Sequence, residues 1–265
     1  MGDIKIAILS DLHLMEANRK EALENLERTL DRLKRHEPDL LIVLGDMIGG
    51  KVTTSKQVDE EDEGIEELKE IRNRVEKLDL EKLYLLGNHE QDIAKDKFEQ
   101  EFGQSTFGIK EVEGENFVYL DSSAPELSGS RGQISREQLD FLDEKLQELD
   151  DAYLIIHHPV HFRDLSHSYY WDIYPERAIC GNKKEINNVI QKHDNIRAVF
   201  NSHIHDLNLE EFKGRKHFTN PPMISESREK GFNNYYTIAQ IGEEVDLTVY
   251  TDQEVKNFNF LPEIS

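Results

Sequence analysis

The sequence predicts an α/β or αββα architecture, on two observations. Apolar runs of strand length alternate with amphipathic helical segments along the chain, which is typical of sheets covered by helices. Side chains that can bind metal ions follow directly after five of the apolar runs. Because no internal repeat or low-complexity linker interrupts this pattern, we expect one domain over residues 1–265, with a β-rich part at residues 207–265.

The order of the elements follows from hydrophobic periodicity. Six apolar runs predict strands at residues 4–9, 40–44, 83–86, 117–120, 153–156 and 196–200. Apolar residues on one helical face predict helices at residues 23–33, 65–78, 139–149 and 186–190, and Ser135 precedes the third of them as an N-cap residue. After residue 207 the pattern changes to short strands, including a hairpin of residues 235–241 and 245–250.

Composition excludes several classes of function. The formal net charge of −22 disfavours duplex nucleic acid or an anionic membrane as a partner, because both need a basic surface. No apolar run approaches the roughly 20 residues that span a bilayer, and the N-terminus has no signal-peptide pattern. The single cysteine, Cys180, excludes an intramolecular disulfide and is expected to be a small buried residue. We therefore expect a cytoplasmic protein, and the sequence leaves open whether it is a monomer or a homodimer.

An acidic run at residues 59–63 comes just before the apolar positions of the second predicted helix. Carboxylates near a helix N-terminus interact favourably with the helix dipole. We interpret the run as a solvated helix start.

Five of the predicted strands end in possible metal ligands. The five segments are Asp11-Leu12-His13, Gly45-Asp46, Gly87-Asn88-His89-Glu90, His157-His158-Pro159 and His203-Ile204-His205. Ligands of α/β sheets bind outside the carboxyl ends of the strands, so these turns should converge. Carboxylate, amide and imidazole donors suit Mn, Fe or Zn. Seven candidate ligands are more than one ion usually takes. The set therefore favours two ions, about 3.5–4 Å apart, that share one bridging carboxylate.

These motifs, in this order, resemble the calcineurin-like metallophosphoesterase superfamily over residues 11–205. The resemblance implies a four-layer αββα sandwich with mixed sheets and a site at the strand carboxyl ends. It implies that Asp11, His13 and His205 hold one divalent or trivalent ion. Asn88, His157 and His203 would hold the other, and Asp46 would bridge the two. His157 is chosen over His158 because it is the first histidine of the HHP segment.

The resemblance also implies a mechanism in which Asp46 and His89 are the catalytic residues. A metal-bridging hydroxide would attack phosphorus in line with the leaving oxygen. His89 would remain off the metals, contact the phosphoryl oxygens together with Asn88, and protonate the leaving group.

The short HHP form and the compact length are similar to cyclic nucleotide phosphodiesterase-like members. We therefore expect a small phosphodiester, such as a cyclic nucleotide, as the substrate. A phosphomonoesterase or a nucleotide pyrophosphatase of the same fold is the alternative. A non-catalytic scaffold is less favoured, because all seven candidate ligands are present.

Three further features remain open in the sequence. The segment at residues 160–180 is rich in aromatic side chains and is either a substrate-binding loop or a packed structural loop; within it, His161 and Arg163 are candidate substrate contacts. His158 and Glu90 are candidates for supporting the metal ligands. Ser202 stands where the superfamily usually has glycine, so the turn before His203 has either an ordinary backbone or strain at Ser202.

Overall fold

Strands and helices follow one another along the chain as the hydrophobic pattern predicts. The structure is a computed structural model that describes residues 3–49, 60–124, 127, 129–166, 168–223, 234–251 and 255–260. The strands are β1 (Ile4–Leu9), β2 (Leu40–Val43), β3 (Glu81–Tyr84), β4 (Gly108–Val112), β5 (Glu115–Leu120), β6 (Ala152–Ile156), β7 (Ile196–Asn201), β8 (Asn208–Phe212), β9 (Arg215–Thr219), β10 (Tyr236–Ile241), β11 (Val245–Tyr250) and β12 (Val255–Phe260).

The helices lie between these strands. They are α1 (Arg19–Leu33), α2 (Glu60–Val75), α3 (Lys95–Phe102), α4 (Arg136–Glu148), α5 (Tyr169–Ile173), α6 (Pro175–Ala178) and α7 (Lys183–Ile190), with short 3₁₀ helices at Glu16–Asn18, Lys34–His36 and Asn88–Glu90. Ser135 caps α4 as predicted, because its hydroxyl accepts a hydrogen bond from the Gln138 amide at 3.2 Å. None of the described helices is long and apolar enough to cross a membrane.

Within the described part of the chain, the strands form two mixed sheets of six strands each. The order in the first sheet is β12-β11-β10-β1-β2-β3, and in the second it is β4-β5-β6-β7-β9-β8. Strands β1, β2 and β3 are parallel neighbours, as are β5, β6, β7 and β9. Because parallel neighbours end at the same edge, the turns after β1, β2 and β3 meet, and so do the turns after β6 and β7.

Successive side chains of a strand point to opposite faces of its sheet, so they pack in different layers of the fold. In β1 the residues Ile4, Ile6 and Ile8 pack between the two sheets, whereas Ala7 and Leu9 face the helices on the outside. The inner cluster joins β1, β2 and β3 to aromatic residues of the second sheet, including Phe200. Helices α1 and α2 cover the outer face of the first sheet, and α4 and α7 cover that of the second. The α/β prediction and its four-layer αββα form are confirmed.

The sequence prediction found the elements with strong periodicity and missed the weak ones. All six predicted strands and the C-terminal hairpin are present, with small shifts at their ends. The second predicted helix begins at Glu60, within the acidic run, while Asp59 lies outside the described residues. The sequence did not predict β4, which is a half-buried edge strand, or α3, in which only Phe98 is buried among the described residues. Cys180 is fully buried, as expected.

Candidate metal centre

The turn after β2 of the first sheet is joined to the turns after β6 and β7 of the second sheet through one backbone carbonyl. Leu44, directly after β2, accepts a hydrogen bond from Nδ1 of His157 at 2.7 Å and another from the hydroxyl of Ser202 at 3.2 Å. Ser202 also donates its backbone amide to the His157 carbonyl at 2.9 Å. These bonds fix the ends of β6 and β7 of the second sheet to the end of β2 of the first.

One group of predicted ligands consists of Asp11, His13 and His205. Nε2 of His205 lies 3.5 Å from Oδ1 of Asp11 and 2.9 Å from Nε2 of His13. The three residues have ligand atoms close enough to one another to share an ion. The two histidines follow strands of different sheets, so this group exists only because the sheets pack together.

Asp46 lies at the middle of the centre. Its Oδ1 accepts the backbone amide of His89 at 2.9 Å, which fixes the orientation of the carboxylate. Its Oδ2 lies 3.3 Å from Nε2 of His157, 3.9 Å from Nε2 of His13 and 4.0 Å from Nε2 of His89. One carboxylate oxygen is thus surrounded by histidines of both halves of the centre, as a bridging ligand requires.

The other group contains His157, His158 and His203. Because the Leu44 carbonyl can only accept, the hydrogen on His157 must be on Nδ1, which leaves Nε2 to face Asp46. His203 is held in the same way, since its Nε2 contacts the Arg177 carbonyl at 2.9 Å and its Nδ1 is left for a ligand. His157 also forms a candidate group with Asp11 and Asp46, whereas His158 does not.

Several buried atoms of these residues make no hydrogen bond. They include both carboxylate oxygens of Asp11, Oδ1 of Asn88, Nε2 of His157 and Nδ1 of His203. A buried polar atom without a partner is costly, and native structures rarely leave so many together. Two bound metal ions would satisfy these atoms, which are carboxylate, amide and imidazole donors of the kind that such ions take. The 2.9 Å between the Nε2 atoms of His13 and His205 also matches two imidazoles bound at right angles to one ion at about 2.0–2.1 Å. The residues therefore fit a two-metal centre.

Histidines keep the buried carboxylates ionised. Burial raises the pKa of Asp46, but the charges of His157 and His89 outweigh burial and hold the pKa well below its usual range. Burial opposes ionisation of Asp11 too, and the contact with His205 and its charge lower the net pKa. Both carboxylates are therefore ready to bind cations.

The histidines differ in protonation because their neighbours differ. Burial lowers the pKa of His13 and of His203 to about 3, so both are neutral at physiological pH. Burial acts on His157 as well, but the charge of Asp46 outweighs it and raises the pKa to about 9. In the metal-free protein the second proton of His157 is therefore on Nε2, and a metal ion must displace it to bind that nitrogen.

The predicted ligands lie in strained turns. Asp11, His13, Asp46, His203 and His205 all have positive φ, between 47° and 72°. L-residues other than glycine adopt this region rarely, at a cost of about 1–3 kcal/mol each, and keep it only where the surroundings hold them. Concentration of this strain in five of the seven predicted ligands indicates turns that are shaped for binding rather than for stability.

The turn before His203 has no strain at Ser202. The φ of Ser202 is not positive; the positive value, 72°, belongs to His203. The Ile204 amide donates to the Ser202 carbonyl at 2.8 Å, which makes His203 the centre of a γ-turn. This turn directs the two imidazoles apart: the ring of His203 lies 5.2 Å from that of His157, and the ring of His205 lies 4.9 Å from that of His13.

Glu90 supports two of the turns. Its Oε2 accepts the backbone amides of Asp46 at 3.0 Å and Gly87 at 2.7 Å, and its Oε1 accepts that of Ile48 at 3.0 Å. Burial and the charge of Asp46 raise the pKa of Glu90 to about 7, whereas the backbone hydrogen bonds lower it. Gly87 allows the close approach of these turns, because a Cβ there would collide with the Asp46 carboxylate. Glu90 therefore joins the turn of Asp46 to the turn of Gly87, and its support of metal ligands stays a prediction.

His89 is on the open side of the centre. Its Nδ1 donates to the Gly49 carbonyl, which leaves Nε2 directed towards Asp46 at 4.0 Å. Its ring contacts that of His13 edge-on, with 4.5 Å between centroids. The side chain is partly exposed, unlike those of His157 and His203.

The two predicted substrate contacts of the aromatic segment lie in a different cluster. Nε2 of His161 and Nε of Arg163 both lie 3.2 Å from Oε1 of Glu210. Arg163 also pairs with Asp206 at 3.2 Å and donates to the Thr219 hydroxyl at 2.9 Å. Both side chains are buried, and burial lowers both pKa values. Substrate contact by these residues stays a prediction, while the observed contacts hold the chain directly after His205.

The sequence-based search missed several supporting groups. Ser122 contacts Nδ1 of His158 at 2.8 Å, and it could have been found because the polar run Asp121-Ser122-Ser123 follows β5 as the other site residues follow their strands. The carbonyls of Leu44 and Arg177 carry no such signal, because any residue supplies a carbonyl.

A comparison with family models decides the classification. The model of the calcineurin-like phosphoesterases matches residues 4–207. The chain belongs to the calcineurin-like phosphoesterase family. Among curated protein sequences, none matches the chain.

Solved structures show how widely this phosphoesterase fold is shared. A dimetal phosphatase from Danio rerio has a TM-score of 0.72 at 14% identity, with 97% of this chain and 99% of that chain covered. A purple acid phosphatase from yellow lupin seeds has a TM-score of 0.65 at 10% identity, with 97% and 53% covered. GAP50, described as the anchor in the inner membrane complex of Plasmodium, has a TM-score of 0.54 at 12% identity, with 98% and 90% covered. At these identities the likeness shows the fold alone.

The first prediction concerns Glu90. In Glu90→Gln an NH₂ group replaces one acceptor oxygen, so at least one of the three backbone amides loses its partner in either orientation of the amide. We expect metal affinity to fall about 10–100-fold, as it does when groups that support metal ligands are removed. Competition with a chromophoric chelator measures this change. Glu111→Gln, an exposed change on β4, is the control, and equal affinities in the two variants would contradict the role of Glu90.

The second prediction concerns His157 in the metal-free protein. Its pKa should lie near 9 because of Asp46. In Asp46→Asn the carboxylate charge is gone while burial remains, so the pKa should fall. Titration of the imidazole signals by NMR, with a chelator present, measures both values. A pKa that is the same in both proteins would show that Asp46 does not control His157.

Proposed function

We propose that this chain hydrolyses small phosphodiesters with two bound metal ions. The observation that carries the proposal is the convergence of six predicted ligands, from the ends of four strands, in overlapping groups that could hold metal ions: Asp11, His13, Asp46, His157, His203 and His205. Several of these donors have buried atoms without hydrogen-bond partners. A structural protein has no need to place so many unsatisfied groups and strained turns at one edge of its sheets.

The protein would divide the ligands between two ions. Asp11, His13 and His205 would bind one, Asn88, His157 and His203 the other, and Asp46 both. Imidazole and oxygen donors suit Mn, Fe or Zn. When bound, two such ions would make hydroxide available near neutral pH and leave a positive local charge that attracts a phosphate ester to a protein of net charge −22.

His89 would act on the leaving group. The Gly49 carbonyl holds the hydrogen of the neutral ring on Nδ1, so the second proton of the charged ring must be on Nε2, which faces the centre. Nε2 can donate this proton to the leaving oxygen as its bond to phosphorus breaks. Asn88, whose Oδ1 is buried without a partner, positions the phosphoryl group together with His89.

Preference for a diester rests on sequence features. The HHP segment and the compact length resemble cyclic nucleotide phosphodiesterase-like members, so a cyclic nucleotide or a similar small ester is the proposed substrate. Phosphomonoester or nucleotide pyrophosphate hydrolysis remains the alternative of the same site.

A non-catalytic role is the contrasting hypothesis, and the fold does not exclude it, since GAP50 is described as an anchor. The grouped carboxylates and histidines and the partly exposed side chain of His89 support catalysis in this chain.

The third prediction tests catalysis. The protein reconstituted with Mn, Fe, Zn, Co or Ni should hydrolyse bis-p-nitrophenyl phosphate with a higher kcat/KM than p-nitrophenyl phosphate. His89→Asn should lower kcat about 10²–10⁴-fold, as expected for the loss of a general acid. The loss should be larger for diphenyl phosphate, because phenolate is the poorer leaving group and depends more on protonation.

The matched control is His193→Asn, since His193 pairs with Asp143 away from the centre. No turnover with any of the metals would refute catalysis. A preference for the monoester would refute only the choice of a diester.

A further inference from the structure

The exposed apolar side chains of this protein are concentrated in one segment. Among the described residues, five large apolar side chains are exposed, and four of them lie between residues 162 and 174: Phe162, Tyr170, Ile173 and Tyr174. Exposed apolar patches commonly mark binding sites. The segment therefore offers a surface that packing within the chain does not explain.

Part of this surface is connected to the metal centre through Trp171. The indole ring lies 4.9 Å from the ring of His203, and its Nε1 donates to the Ile204 carbonyl at 3.1 Å. The Tyr170 ring lies 4.6 Å from the Trp171 ring, and the Tyr174 ring lies 5.3 Å from that of Tyr170. A row of rings thus runs from a predicted metal ligand to the surface.

The end of this row is open to solvent. Trp171 is 8% exposed, whereas Tyr170 is 43% and Tyr174 is 39% exposed. The two tyrosines therefore present exposed ring surface, Tyr170 at two ring contacts from His203 and Tyr174 at three.

Arg177 contacts both the exposed tyrosines and the predicted metal ligand His203. Its backbone carbonyl holds Nε2 of His203, and its guanidinium carbon lies 4.6 Å from the Tyr174 ring centroid. One of its Nη atoms lies 3.4 Å from the Tyr170 hydroxyl. Arg177 therefore contacts both tyrosines and His203, and its guanidinium places a positive charge at the exposed tyrosine rings.

We propose that Tyr170, Tyr174 and Arg177, named here the tyrosine platform, bind a planar aromatic group of the phosphoester substrate by stacking. This inference rests on the proposed function, because it assumes that the phosphoryl group lies at the metal centre. A nucleobase and a simple aryl group share the required chemistry, a flat π-surface joined to a phosphate.

The platform is connected to the metal centre through Trp171 and His203. The rings are contiguous with His203, so a group bound there belongs to the same ligand as a phosphoryl group at the centre. An aliphatic ester could fill the space but gains no stacking with Tyr170 or Tyr174.

Binding of phosphonates tests the platform without turnover, because their C–P bond resists hydrolysis. Trp171 is the single tryptophan of the chain and touches the platform, so its fluorescence reports binding. Phenylphosphonate should bind the Zn-loaded protein about 10-fold more tightly than cyclohexylphosphonate, a difference of about 1.4 kcal/mol. In Tyr170→Leu/Tyr174→Leu, which keeps apolar bulk without the rings, the ratio should fall to about 1.

Phe162→Ala is the control, since Phe162 is 69% exposed in the same segment but is not part of the ring row; it should keep the 10-fold ratio. Equal affinities of the two phosphonates for the wild type, or an unchanged ratio in the double variant, would overturn the inference. If methylphosphonate binds and the phenyl group adds nothing, only the platform fails. If no phosphonate binds the metal-loaded protein, the proposed function fails as well.

Tighter binding of adenosine 5′-monophosphate than of ribose 5-phosphate would identify a nucleobase as the stacking group. Equal binding of these two, together with the phenyl preference, would identify a simple aryl ester.

Discussion

The geometry of the centre depends on the hydrogen bonds that the side chain of Glu90 accepts. Three backbone amides, from the turns after β2 and β3, donate to it in a buried position. Asp46, Asn88 and His89 all lie on these two turns, so their relative positions follow from one buried carboxyl group and its hydrogen bonds. The bond to the Asp46 amide helps to hold Asp46 at a positive φ.

Hydrogen bonds also position the predicted ligands that follow the second sheet, where backbone carbonyls accept them in place of a carboxylate. The Leu44 carbonyl holds His157 and Ser202, and the Arg177 carbonyl holds His203. Each carbonyl fixes which ring nitrogen bears the hydrogen, and thereby which nitrogen faces the centre. Stability of the αββα core, with its well-packed inner cluster, compensates for the strained turns at its edge.

The sequence predicts the features that local patterns determine, and it does not predict those that depend on contacts between distant residues. The strands, the four layers and the convergence of Asp11, Asp46 and His157 follow from local periodicity and from the rule for strand ends. The γ-turn at His203 and the isolation of Arg163 in its ion-pair cluster depend on contacts with distant residues, such as Glu210. The likeness to known folds does not define the substrate, and the sequence alone could not decide whether the aromatic segment packs or binds.

The central claim is that the strand-end turns hold two metal ions around Asp46. Anomalous diffraction from crystals grown with Mn²⁺ tests it most directly. We expect two anomalous peaks about 3.5–4 Å apart, one beside Asp11, His13 and His205 and the other beside Asn88, His157 and His203, with the Asp46 carboxylate between them. A single peak, no peak, or ions bound away from Asp46 would contradict it.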